Sequence, residues 1–303
     1  MTHFKLKLLI CGVIFGASIF VIKIVNTETS VRLKINTKTT KCEKQIVPYK
    51  HFTFIPLLSF PGSGNTWLRY LVEQATGFYT TTVEHGDRNL ASTFQLEFMH
   101  PLSGQAIMTK THYFSYGKTW YPKVDEFRES NYCVFLLRNP LEAFLSEYTR
   151  WTYKNHTRKL TENYFQSSQH RRSFSKKCSK FMNNPVNGWV GVYKKALENR
   201  LSCKSGFHVI KYENLKNNPA GEVESLIKFL KFANNHADIE FRGECMGDLE
   251  GDFHRKTPVT PERNTLLKFL NQKDIKKFNL NLQYLSDMMK VKFSDDYFLK
   301  LSA

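Results

Sequence analysis

Residues 57–69 read Leu-Leu-Ser-Phe-Pro-Gly-Ser-Gly-Asn-Thr-Trp-Leu-Arg. An apolar run gives way to a Gly-Ser-Gly turn, and a helical pattern starts at once. That order predicts a strand, an anion-cradling loop and a helix N-terminus whose free backbone N–H groups face the ligand. The loop lacks the Gly-Lys-Ser/Thr ending of a nucleotide triphosphatase, which argues against the β/γ-phosphates of ATP as the anion. In the helix, Leu68, Leu71, Val72 and Ala75 fall on one stripe, Arg69 and Glu73 pair four apart on the other side, and Gly77 stands where a left-handed cap is expected.

The rest of the chain repeats the alternation. Strand patterns occur at 53–60, 106–110, 132–137 and 207–212, and helix patterns at 66–76, 140–153, 186–199, 219–232 and within 262–289. Short apolar strands alternating with helices predict an α/β domain, a P-loop-like parallel sheet flanked by helices. No internal repeat or low-complexity tract interrupts it.

A second constellation lies at 132–151, Tyr-Cys-Val-Phe-Leu-Leu-Arg-Asn-Pro-Leu-Glu-Ala-Phe-Leu-Ser-Glu-Tyr-Thr-Arg-Trp. The strand closes at Arg138. Asn139 is placed to cap the next helix, Pro140 is at its first position, and Glu142 completes a capping box. Leu141, Phe144, Leu145 and Tyr148 share an apolar face that Ser146 avoids. A guanidinium at a strand's carboxyl edge and a hydroxyl on the following helix together suit a phosphate.

The Pro-x-Ser-Gly-x-Thr-Trp loop and the Arg138…Ser146 spacing together resemble the two signatures of sulfotransferases that use 3′-phosphoadenosine 5′-phosphosulfate (PAPS). The resemblance implies that Gly62, Ser63, Gly64, Asn65, Thr66 and Trp67 hold the 5′-phosphosulfate, and that Arg138 and Ser146 bind the 3′-phosphate. Lys110-Thr111-His112 resembles the segment carrying the family's catalytic base, which implies His112 as base. Tyr212-Glu213-Asn214-Leu215 resembles a family segment whose tyrosine lies near the nucleotide. Arg255 stands where relatives carry a basic residue toward the 3′-phosphate. Phe60–Arg69 and Glu250–Arg255 are most similar to the WSC-domain-containing sulfotransferases, which act on sialic acid, although no Cys-rich WSC module is visible in these 303 residues. One departure stands out: relatives carry Lys or Arg at the position of Gly62, and Lys110 or Arg255 is the expected substitute on the leaving-group side. A loop histidine that merely satisfies a carbonyl is the plain alternative for His112. Trp189 and Tyr193, four apart on a helix pattern, are expected in the core rather than in the site.

Composition narrows the setting. The formal net charge of +17 fits a polyanionic sulfate donor and an acidic or neutral glycan acceptor, or simply a solubilising surface. No nucleic-acid motif is present, and no His/Cys/Asp cluster has metal-ligand spacing, so no metal is expected. Residues 8–25 are apolar apart from Lys23, with no cleavage site after them. They predict a signal anchor behind a 1–7 cytoplasmic tail, with a cleaved peptide as the alternative. Residues 26–50 are expected to form a stem and 51–303 the sulfotransferase domain, lumenal in the Golgi; oligomeric state is not readable. Asn155-His156-Thr157 is a glycosylation sequon. Of six cysteines, Cys11 and Cys133 are expected to be unpaired. Cys42, Cys178, Cys203 and Cys245 form an even set, with Cys178–Cys203 as the first pair to test and four free thiols as the alternative.

Overall fold

The computed structural model describes residues 42–83, 88, 90–112, 130–153, 160–185, 187–198, 203–249 and 262–300. The described residues belong to one compact unit, 39–303. Five strands, β1 (Pro56–Ser59), β2 (Thr81–Thr82), β3 (Thr109–Thr111), β4 (Tyr132–Leu137) and β5 (Gly206–Lys211), form one parallel sheet in the order β2-β3-β1-β4-β5. Eight helices accompany them among the described residues: α1 (Asn65–Thr76), α2 (Pro140–Tyr153), α3 (Ser168–Asn183), α4 (Trp189–Glu198), α5 (Tyr212–Asn217), α6 (Pro219–Asn234), α7 (Arg263–Leu267) and α8 (Gln272–Met289).

Successive strand side chains point to opposite faces, and both faces are covered. Leu58, Phe135 and Leu137 pack with α2, α3, α4 and α8, whereas Leu57, Val134 and Leu136 pack with α1 and α6. The central strands are therefore apolar throughout rather than alternating. The chain leaves β1 for β2 and β3 on one side and only then supplies β4 on the other. This makes the carboxyl end of β1 the switch point of the sheet, where open α/β sheets bind ligands.

Several sequence expectations are corrected. Arg69 and Glu73 are not a surface pair: both are fully buried. Arg69 Nη2 binds Glu97 at 2.6 Å and its Nε donates to Thr80 at 2.8 Å, while Glu73 accepts from Thr80 and from Lys44. Residues 42–50, assigned to the stem, pack on the domain, because Val47 enters the core beneath α1 and α6 and Gln45 bridges to Phe78. Cys133 is not free, and Cys178 is not paired with Cys203. The disulfides are Cys133–Cys203 and Cys42–Cys245, with Cα separations of 5.2 and 5.3 Å. The turn before β5 brings Cys203 beside the start of β4, with its N–H donating to Ser130, whereas Cys178 faces the core from α3 and is buried without a disulfide partner. Among the described residues no helix is long and apolar enough to cross a membrane. The expected anchor at 8–25, the sequon at 155–157 and Arg255 lie outside the described residues.

Candidate active site

The loop after β1 closes on α1 through two glycines in the left-handed region, Gly62 at φ 82° and Gly64 at φ 94°. A Cβ on Gly62 would sit 2.5 Å from the Ala143 carbonyl oxygen and 3.2 Å from Ser146 Cβ, so this residue lets the loop lie directly against α2. A Cβ on Gly64 would meet the Tyr212 ring at 2.6 Å. Gly64 is also the N-cap of α1, and no side chain caps that terminus. The first-turn amides of α1 remain available to an anion.

Three strand ends and helix α2 deliver the other groups. Arg138, after β4, donates from Nη1 to the Gly62 carbonyl at 2.8 Å, places its guanidinium 4.3 Å over the Tyr212 ring, and has Glu142 at 3.6 Å from Nη2. Tyr212, after β5, also meets Trp67 edge-to-face at 5.8 Å, and Trp67 Nε1 donates to the Leu249 carbonyl. Ser146 approaches Gly62 from the second turn of α2. His112, after β3, lies with Nδ1 2.9 Å from the Ser59 carbonyl. A carbonyl only accepts, so Nδ1 carries the proton. Nε2 is then the basic side of the neutral ring, with Asn65 Nδ2 at 3.4 Å. Asn65 Nδ2 also lies 2.8 Å from Ser59 Oγ, and the Thr66 hydroxyl donates to Asn65 Oδ1.

Residues 62–67, Arg138, Ser146, Tyr212 and His112 thus surround one loop. Lys110 does not share this position as closely. It pairs with Leu57 within the sheet, two residues back from His112, roughly 7 Å along the strand. The capping box is also corrected: Leu141 and Glu142 N–H groups donate to Asn139 Oδ1, but the Asn139 N–H is taken by Glu213 at 2.8 Å, leaving Glu142 beside Arg138. Glu213 accepts from the Tyr297 hydroxyl as well, so the carboxylate after Tyr212 ties β4, α5 and the C-terminal segment together.

Two polar atoms among these groups are buried and lack a hydrogen-bond partner among the described residues, Ser63 Oγ and Arg138 Nε, although the Tyr193 hydroxyl lies near Ser63. Buried donors are normally satisfied. Both flank a loop built of glycines against an uncapped helix end, so the residues present fit a phosphorylated ligand.

Tyr193 is a support of the loop that sequence reasoning left out of the site. It is buried in α4, as expected, but its hydroxyl donates to Leu136 O at 2.7 Å and accepts from Phe60 N–H at 3.0 Å. It pins the start of the loop to β4. Burial raises its pKa, so it stays a neutral phenol. A tyrosine four residues after a tryptophan carries no sequence signal for this role.

The sulfotransferase domain family model matches residues 53–242. The chain belongs to the sulfotransferase domain family. The match contains residues 62–67, His112, Arg138, Ser146, Tyr193 and Tyr212. Its curated relatives include a WSCD family member of Drosophila pseudoobscura pseudoobscura, 29% identical over 176 residues, 58% of this chain and 50% of the relative. A WSCD family member of Aedes aegypti is 28% identical over 221 residues, 70% and 62% respectively. One of Drosophila melanogaster is 28% identical over 179 residues, 59% and 50%. The matched regions span between 50% and 62% of these relatives' own lengths. Among solved structures, a sulfotransferase from Alicyclobacillus acidocaldarius aligns with a TM-score of 0.47 at 13% identity, covering 83% of this chain and 99% of that one. Mouse sulfotransferase SULT7A1 complexed with PAP aligns with a TM-score of 0.41 at 18% identity, covering 82% and 88%.

Proposed function

We propose that this sulfotransferase-family protein is a PAPS-dependent enzyme that sulfates a glycan hydroxyl. The observation that carries the reading is the convergence of two distant motifs on one loop: Arg138 holds the Gly62 carbonyl, Ser146 abuts Gly62, and His112 is oriented by Ser59 at the end of the same strand. PAPS, when bound, supplies an activated sulfuryl group. The amides of 62–66 with the Ser63 and Thr66 hydroxyls hold its 5′ end, Arg138 and Ser146 its 3′-phosphate, and Tyr212 with Trp67 an aromatic wall beside them. His112 Nε2 takes the proton of the acceptor hydroxyl, and the fixed donors of the loop stabilise charge on the leaving side. Arg255 is a further candidate toward the 3′-phosphate.

The setting proposed is a type II Golgi membrane protein anchored by 8–25, with the domain lumenal. Two disulfides support an oxidising compartment. Similarity to WSCD family members favours sialylated glycans as the first acceptors to try. The test is transfer of labelled sulfate from PAPS to a panel of sialylated and neutral glycans. Wild type is expected to label a subset, and His112→Ala to lose labelling while still binding 3′-phosphoadenosine 5′-phosphate (PAP). The absence of a lysine at Gly62 favours one rival, a relative that binds nucleotide without turnover. PAP binding with no transfer to any glycan would establish that rival.

A further inference from the structure

At the amino-terminal edge of the sheet, away from the loop, three ligand-type side chains from distant segments meet. His51 lies five residues before β1, and His236 and Asp238 follow α6. His236 Nδ1 is 3.1 Å from Asp238 Oδ1, His51 Nε2 is 3.7 Å from Asp238 Oδ2, and one donor atom from each residue lies within 4.8 Å of the others. The two imidazole rings lie with centroids 4.1 Å apart and planes tilted by 41°.

A tetrahedral zinc site with bonds of about 2.0–2.2 Å separates its ligand atoms by roughly 3.3–3.5 Å. The separations from the two imidazoles to the two Asp238 oxygens, 3.1 and 3.7 Å, lie on either side of that value. A second observation points the same way. His51 Nε2 is cut off from solvent and has no hydrogen-bond partner among the described residues, since 3.7 Å to the carboxylate is too long for one. An imidazole nitrogen buried beside a carboxylate, yet not bonded to it, is a group that a shared cation would satisfy.

We propose that His51 Nε2, His236 Nδ1 and an Asp238 carboxylate oxygen form a divalent transition-metal site, with Zn²⁺ favoured by the nitrogen-rich donor set. Asp238 is exposed, which leaves the fourth position to water. Metal binding replaces the hydrogen bond between His236 Nδ1 and Asp238 Oδ1. The site clamps the segment before β1 to the turn after α6, a junction already made by Thr53 N–H donating to Asn234 Oδ1 and reinforced elsewhere by Cys42–Cys245.

The test uses the full-length chain, stripped with chelator, and titrates Zn²⁺ by calorimetry and Co²⁺ by visible absorption. Wild type should bind one equivalent more than the His51→Gln/His236→Gln double variant, show tetrahedral cobalt absorption that the variant lacks, and gain melting temperature with Zn²⁺. Asp238→Asn, an exposed change that leaves the core untouched, should weaken Zn²⁺ at least tenfold while melting cooperatively. Equal Zn²⁺ stoichiometry and affinity in wild type and Asp238→Asn, or no Zn²⁺ binding by wild type, overturns the proposal. The readout is independent of nucleotide binding.

Discussion

Replacing Gly62 by alanine tests whether this glycine is a vacant lysine position or a packing requirement. Its φ of 82° costs an L-residue about 1–2 kcal/mol. The new methyl would stand 2.5 Å from the Ala143 carbonyl and 3.2 Å from the Glu147 amide, both backbone atoms of α2 that no side-chain rotation can move. Overpacking of this kind adds about 1–3 kcal/mol. The sum, about 2–5 kcal/mol, corresponds to a loss of roughly 5–15 °C in melting temperature for a domain of this size. Displacing the loop also moves the carbonyl that Arg138 grips, so PAP affinity should fall at least tenfold. Gly62→Lys, which supplies the lysine that the resemblance led one to expect there, should behave no better than alanine. Thermal melting and calorimetric PAP titration read both effects. Wild-type stability with wild-type PAP affinity in Gly62→Ala would refute the packing argument and return the position to the status of a lost lysine.

Three further outcomes are expected. Tyr193→Phe orphans the buried Phe60 N–H and removes a bond to Leu136 O, which should cost about 2–4 kcal/mol in chemical denaturation; a change below about 0.5 kcal/mol would show that the hydroxyl does not pin the loop. Replacing Cys133 and Cys203 together by alanine opens a cross-link spanning 70 residues and should destabilise by about 2–4 kcal/mol, whereas Cys178→Ala should leave disulfide content unchanged by mass spectrometry. Burial lowers the pKa of His208 below its ordinary 6.5, so the unfolded chain takes up the proton first. Stability of the metal-free protein should therefore fall as pH drops below about 6.5, and His208→Phe, which packs on Phe229, should flatten that slope in pH-dependent melting.

The sequence was most legible where local chemistry and burial agree. Asn139 and Pro140 mark the start of α2, and the apolar 132–137 run matches β4, because cap, proline and two-sided burial all act locally. The 60–64 loop was legible for the same reason. α3 went unforeseen: its lysines, arginines and serines hide a stripe of Phe174, Cys178, Phe181 and Met182. β2 is only two residues long and exists because β3 is beside it. The pairings that depend on topology were out of reach. Nothing near Cys133 points to Cys203, and nothing near Arg69 points to Glu97. Around the loop, the motif residues could be named from the sequence as candidates, but the groups that position them could not. Tyr193, Ser59 and Glu213 act through hydrogen bonds that only the assembled sheet creates.

Calorimetric titration of PAP into wild type and Arg138→Ala tests the central claim most directly. Wild type should bind one equivalent, and Arg138→Ala, losing charge-assisted hydrogen bonds worth about 1.5–3 kcal/mol, should bind about tenfold to a hundredfold more weakly while still melting cooperatively. Equal affinity in the two folded proteins, or no PAP binding by folded wild type, would contradict the assignment of this loop and Arg138 to the nucleotide.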